Sequence, residues 1–293
     1  MKRISMLCML IGITLAGLAQ TDTTKQNQAD STKQENRVDT IHIGGMVIIR
    51  DKDSKSKKVV YETLPSVRTR KRDKPSNLST NWWIFDIGFS HYVDNTNYLG
   101  ADAQAYAPGS NEYWFEIKDG KSRNVNIWFF MQKLNMVKHI VNLKYGLGLE
   151  LNNYFYQQPV RYIVAPPPVV DPARVYLDNT ANRNYQKSKL ALDYLTVPMM
   201  LNFNFTPTRE RGFGFSAGVS AGYLYSSRNK TKTSDEGKVK AKDDFDIQRW
   251  KLSYVAEVSL GPVRLYGSYA MDDMYERGLD MTPYTFGLRF SNW

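Results

Sequence analysis

Few residues in this chain could do covalent chemistry, and their placement argues against it. There are three histidines, His42, His91 and His139, and one cysteine, Cys8. An activated hydroxyl needs a histidine within hydrogen-bond reach and an acid behind it. Only His91 has both close in sequence, in Ser90 and Asp94. Ser90 and His91 are neighbours in an alternating apolar run, so as strand residues they point to opposite faces. Cys8 lies within an apolar stretch, Ile4 to Leu18, behind Lys2-Arg3 and ahead of the small-residue site Gly17-Leu18-Ala19. That layout is an export signal, residues 1–19, with cleavage before Gln20. A mature chain cut there has no thiolate, disulfide or zinc–cysteine site. Asp243-Asp244-Phe245-Asp246 and Asp272-Asp273 could attract a divalent cation, but they lack the ligand spacing and central glycine of a calcium loop. The expectation is a protein that is not an enzyme, with no catalytic residue, metal ligand or cofactor.

The charges that recur within apolar segments ask for a different role, set by the strands that carry them. Val141 to Asn152 alternates strictly, apolar or aromatic at odd positions and polar, charged or glycine at even ones. Period two makes it a β-strand with one greasy and one polar face. At about 3.4 Å per residue it spans roughly 40 Å, enough for a tilted membrane-crossing strand. Similar runs start near Trp82, Asn124, Leu190, Phe213, Trp250, Val263 and Tyr284, giving eight. A phase slip is expected near Leu195-Thr196, as a β-bulge with Pro198 beside it. The connections alternate long and short, roughly 92–123, 135–138, 153–187, 206–212, 227–246, 261–262 and 271–282. Sorting loops by length onto opposite ends is a habit of outer-membrane barrels. The expected fold is therefore all-β, an eight-stranded antiparallel transmembrane outer-membrane β-barrel over residues 80–293 with a disordered N-terminal extension.

On this phase the polar faces carry Asp86, Lys144, Glu150, Asp193, Lys251, Glu257, Arg264 and Arg289. An eight-stranded bore is just wide enough for side chains to fill it. Four acids and four bases there are expected to pair and close the lumen, against the alternative of a narrow conducting path. Trp82, Trp83, Tyr154, Tyr156, Tyr223, Tyr225 and Trp250 lie near strand ends, where interfacial girdles sit. Ala165-Pro166-Pro167-Pro168 is expected to be a stiff polyproline spacer.

Two resemblances add to this. Leu192-Asp193-Tyr194-Leu195-Thr196-Val197-Pro198-Met199-Met200-Leu201 is similar to a strand of the PorT-like outer-membrane β-barrel proteins of Bacteroidetes. The Gly212–Leu224 and Tyr284–Phe290 strands resemble those that follow it. The resemblance covers residues 80–293 and implies fold and origin; some relatives serve type IX secretion. Trp293 supplies a terminal aromatic but departs from the usual outer-membrane sorting pattern, being out of phase with Phe290 and Leu288.

The second lies in the extension, residues 20–79, which is polar and basic apart from a short β-rich segment at about 38–50. The chain's net charge is +10. Without an Arg-rich helix or aromatic–basic patch the excess points away from nucleic acid and toward outer-membrane lipid and lipopolysaccharide, notably through Arg68 to Lys74. Val38 to Arg50 reads as a hairpin or a kinked strand around Gly44-Gly45. Asp39-Thr40-Ile41-His42-Ile43 resembles the energy-coupling box of TonB-dependent receptors, although 293 residues are too few for such a receptor's plug and strands. Ile41, Ile43, Val47 and Ile49 could add a strand to a periplasmic partner's sheet. The expected placement is the outer membrane, N-terminus in the periplasm and long loops outside.

Overall fold

The computed structural model describes residues 38–43, 46–51, 76–181, 183–207 and 212–291. The chain divides into two units, Met1–Arg72 and Asp73–Trp293. The export signal, the polar tether, the basic run at 68–74 and Trp293 lie outside the described residues. In the first unit, β1 (Val38–Ile43) pairs antiparallel with β2 (Met46–Asp51), setting Ile41 opposite Ile48 and Ile43 opposite Met46. Of the two arrangements open to this segment, it takes the hairpin.

The second unit runs β3 (Leu78–Asp94), α1 (Ala101–Tyr106), a 3-10 turn (Glu112–Phe115), β4 (Arg123–Val137), β5 (Val141–Phe155), β6 (Val160–Tyr162), β7 (Val175–Leu177), β8 (Tyr185–Asn204), β9 (Phe213–Thr233), β10 (Gly237–Lys242), β11 (Trp250–Leu260), β12 (Val263–Ala270) and β13 (Met281–Phe290). Eight of these strands follow one another as antiparallel neighbours in the order β9, β11, β12, β13, β3, β4, β5, β8, and β8 pairs with β9 to close the ring. Closure removes both sheet edges. Short turns gather at one end. Lys138 and His139 both have positive φ, the geometry of a type I′ hairpin turn, and Gly261 at φ 65° precedes Pro262 in a two-residue turn.

Burial follows the pleat. Along β5 the even residues are buried and the odd ones half-exposed from end to end. Outside, Phe85, Ile87, Val197, Met199, Leu252 and Leu288 are all exposed. A continuous apolar belt of that kind suits hydrocarbon rather than water.

Three departures from simple alternation have local causes. Phe129 is an extra residue between the Trp128–Gly148 and Phe130–Leu147 pairs. This bulge reverses the phase of β4, so Met131 is fully buried instead of sharing a face with Val125 and Ile127. The expected slip within β8 is absent; the irregularity is on the facing strand, where Tyr225 is bypassed between Ser226–Asp193 and Leu224–Tyr194. Leu190, Leu192 and Tyr194 consequently keep the inward phase of Thr196 and Met200, and all are buried. Tyr154 and Tyr156 are likewise buried rather than interfacial, because they share the even, inward phase of Lys144 and Glu150. Trp82, Trp83, Tyr223, Tyr225 and Trp250 are exposed, with Tyr223 and Trp250 in edge contact at 5.0 Å.

The long connections are folded. β9 continues beyond β11 and turns back on itself as β10, so most of the segment expected to be a loop at 227–246 is a hairpin. This hairpin, α1, the 3-10 turn and the β6–β7 hairpin pack around Tyr106, Phe115, Tyr156, Tyr162, Phe245 and Tyr275. Each large aromatic ring buried here contributes about 1.5–3 kcal/mol of transfer free energy, enough for connecting segments to hold a fixed shape. They form a cap over the long-loop mouth of the barrel.

Candidate functional site

The lumen is built where inward positions of non-adjacent strands meet. Arg289 on β13 lies against Asp86 on β3, with Nε 2.7 Å from Oδ1 and Nη2 2.7 Å from Oδ2. Its Nη1 donates to Glu257 Oε2 on β11 at 2.5 Å, and the same oxygen accepts from Lys144 Nζ on β5 at 2.5 Å. Four charges thus form one chain across the bore. Asp86 also accepts from Trp128 Nε1 at 2.7 Å and Asn126 Nδ2 at 3.1 Å. The Arg289 guanidinium sits 5.4 Å from the Trp128 ring centre. Planar guanidinium, bidentate carboxylate and stacked indole together give a buried ion set its partners in fixed geometry.

Nearer the cap, Lys251 pairs with Glu150, which also accepts from Asn152 Nδ2 at 2.9 Å. Asn152 continues the network to Asn124 at 2.8 Å and Ser90 at 3.0 Å. A cavity of about 30 Å³ bordered by Trp128, Glu150, Met200 and Arg289 lies within this packing. Above it, Tyr156, Tyr162 and Tyr275 join their hydroxyls at 2.8 and 2.6 Å. Burial pushes the Tyr162 and Tyr275 phenols well above their ordinary range. The short-turn end differs: a vestibule of about 440 Å³, bordered by Lys133, His139, Lys144, Asn202, Glu257 and Arg264, opens there.

Seven of the eight charges assigned to the lumen by phase are buried on inward positions: Asp86, Lys144, Glu150, Lys251, Glu257, Arg264 and Arg289. Arg264 bonds Ser291. Asp193 is the correction. With no slip in β8 it shares the outward side of Leu195, and it pairs there with Arg228 on β9. The lumen set is then three acids and four bases, and Lys133, shifted inward by the Phe129 bulge, adds a base that the alternation had hidden.

The remaining candidates have structural partners. His91 stacks on Tyr284 at 5.5 Å and is 3.8 Å from Asp119, while Ser90 turns into the lumen. Asp243, Asp244 and Asp246 surround Arg174, whose Nη2 lies 2.5 Å from Asp246 Oδ1; Arg277 reaches Asp246 at 2.7 Å. Arginine occupies the place a cation would take. Asp243 also accepts from the Ala165 backbone N–H at 2.9 Å, fastening the base of the proline segment. Asp178 is a second knot: burial pushes its carboxyl up, but hydrogen bonds from Thr180, Tyr185 and Arg183 overcome that and hold it well below the usual carboxylate range. Among the described residues no group of histidine, cysteine and carboxylate ligands could hold a metal ion.

This arrangement can hold opposite walls together and block the bore at mid-height. Residues 91–271 match a family model described as an outer membrane protein beta-barrel domain. No curated protein matches the chain.

Proposed function

The chain belongs to the outer membrane protein β-barrel domain family, and from that premise we propose that it is a closed, non-enzymatic barrel that displays its folded cap at the cell surface. Its role on this reading is structural or surface-interacting, as an anchor or assembly element. The single observation that carries it is the charge chain from Asp86 through Arg289 and Glu257 to Lys144, which fills the bore below a packed cap. The apolar belt and the family support placement in the outer membrane. On this reading the short turns and the N-terminal unit face the periplasm after removal of residues 1–19, and the long loops lie outside. The PorT-like resemblance of Leu192–Leu201 supports a Bacteroidetes origin and leaves a part in type IX secretion as one form of the assembly role.

The second reading is a narrow transport pore, favoured by the vestibule of about 440 Å³ that reaches down to Lys144 and Glu257. Planar-bilayer recording separates the two. The closed barrel gives no steady current, whereas stable, uniform steps from wild-type protein would establish the pore. Direction is tested separately. A mature chain cut before Gln20 has no cysteine, so Val170→Cys at the cap tip, 92% exposed, should take up an impermeant maleimide on intact cells. Lys138→Cys in a short turn should stay unlabelled until cells are lysed. The reverse pattern would invert the topology.

A further inference from the structure

The part of β8, β9 and β10 beyond the ring is a three-stranded sheet, and its two faces differ. The inner face carries Ser188, Asn229, Thr231 and Thr233, all buried. Ser188 Oγ donates to Val160 O at 2.6 Å, tying this face to the cap. The outer face carries Lys187, Lys189, Arg228, Lys230, Lys232, Lys238, Lys240 and Lys242 in cross-strand rows. Lys187 and Lys238 flank Lys232, Lys189 and Lys240 flank Lys230, and Lys242 opposes Arg228. Neighbouring strands are about 4.8 Å apart and alternate residues about 6.8 Å, so the basic residues stand in a dense grid, within which Lys189 is buried and donates to Asn153 Oδ1. Like charges directly opposite one another destabilise a sheet. Among the described residues, Arg228 meets Asp193, and no carboxylate forms an ion pair with any of the seven lysines. Lys187 and Lys189 instead lie over the Phe155 ring, at 5.2 and 4.9 Å.

The grid continues the outward face of the barrel wall. Down the same side of β8 the next residues are Ala191, Asp193, Leu195, Val197 and Met199, and on the neighbouring strand exposed Tyr223 and Tyr225 mark the upper edge of the apolar belt. Basic residues just beyond an aromatic girdle stand at headgroup height, where anionic lipid attracts them. We propose that this outer face of β8–β9–β10 is a docking surface for the phosphates of a glycolipid in the surrounding leaflet, whose acyl chains lie along the belt below. The charge pattern selects an anion, and continuity with the belt selects one that is a lipid. The inference rests on the proposed direction of the long loops, because phosphorylated glycolipid would occupy the leaflet on that side.

The test uses purified full-length protein in zwitterionic detergent, so that it does not depend on topology in cells, which the maleimide labelling settles separately. Bisphosphorylated lipid A and its dephosphorylated form are titrated by native mass spectrometry. The phosphorylated form should bind and raise the melting temperature, and the dephosphorylated form should not. In the triple variant K230Q/K232Q/K240Q, removing three cations, each worth roughly fivefold at an anionic surface, should weaken binding roughly a hundredfold. That variant should stay heat-modifiable in SDS and be no less stable without lipid, since its substitutions relieve repulsion. The arginine triple variant should retain binding. Equal binding of the dephosphorylated lipid, full strength in the glutamine variant, or complete competition by inorganic phosphate alone would each overturn the proposal.

Discussion

Asp86 shows at the scale of one residue how an ion set can sit inside a bore. It is fully buried, and its two oxygens accept from Nε and Nη2 of Arg289, Trp128 Nε1 and Asn126 Nδ2. The desolvation cost of a buried pair is offset only when nearly every lone pair is used, and here nearly every one is. Removing the acid leaves Arg289 with only Glu257, which Lys144 already shares. Asp86→Ala should therefore destabilise the barrel by roughly 3–5 kcal/mol, the usual cost of an uncompensated buried charge. Urea unfolding in detergent, followed by tryptophan fluorescence, measures this. A change under 1 kcal/mol would show that Asp86 is dispensable. Asp86 was legible in the sequence because it interrupts a strand whose other face is Phe85, Ile87 and Phe89. The same logic puts Asp193 in the lumen only if β8 slips, and without that slip it lies on the other side of the wall. Alternation tells which residues share a face only up to the next bulge.

At the scale of the element, the bulges are what alternation cannot show. Phe129 and Tyr225 look like ordinary strand aromatics, and the extra residue in each case is visible only against the partner's register. Trp83, at φ 57°, is another position where nothing in the residue type announces the backbone it adopts. The cap was hidden for a different reason. Its core joins Tyr106, Phe115, Tyr162, Phe245 and Tyr275 from four separate connections, and none of these segments has enough apolar periodicity to declare itself. The glycines of β5 are clearer. Gly148 faces inward opposite Trp128, and a Cβ there would meet Ile127 O at 2.6 Å and the indole at 2.7 Å. The absent side chain is the space the indole fills when it reaches Asp86. Gly148→Val should force Trp128 aside and cost roughly 1–3 kcal/mol by overpacking. Loss of folded, unheated mobility at a lower temperature than wild type would register it. Unchanged mobility would mean that the wall absorbs the methyl groups without moving Trp128.

The whole molecule consists of two units joined through basic sequence, and they face different physical demands. The ring of β9, β11, β12, β13, β3, β4, β5 and β8 closes on itself through the β8–β9 pairing and packs its own lumen and cap. The β1–β2 hairpin is the opposite case. Two strands alone are marginal in water, and among the described residues β1 and β2 pair only with each other. A partner's sheet could extend either edge, with Ile41, Ile43, Val47 and Ile49 supplying β-branched contacts. Because β1 pairs with β2, strand addition would build on the hairpin or require it to open. Deleting residues 38–50 should thus leave membrane insertion and heat-modifiability as in wild type. A photoprobe at Val47 should crosslink periplasmic protein in the full-length chain, and Ile48→Asp, opposite Ile41, should weaken the hairpin and those crosslinks together if the hairpin is the recognised form. Crosslinks that survive Ile48→Asp would assign recognition to the open strand, and their complete absence from the wild-type chain would leave this unit without a partner role.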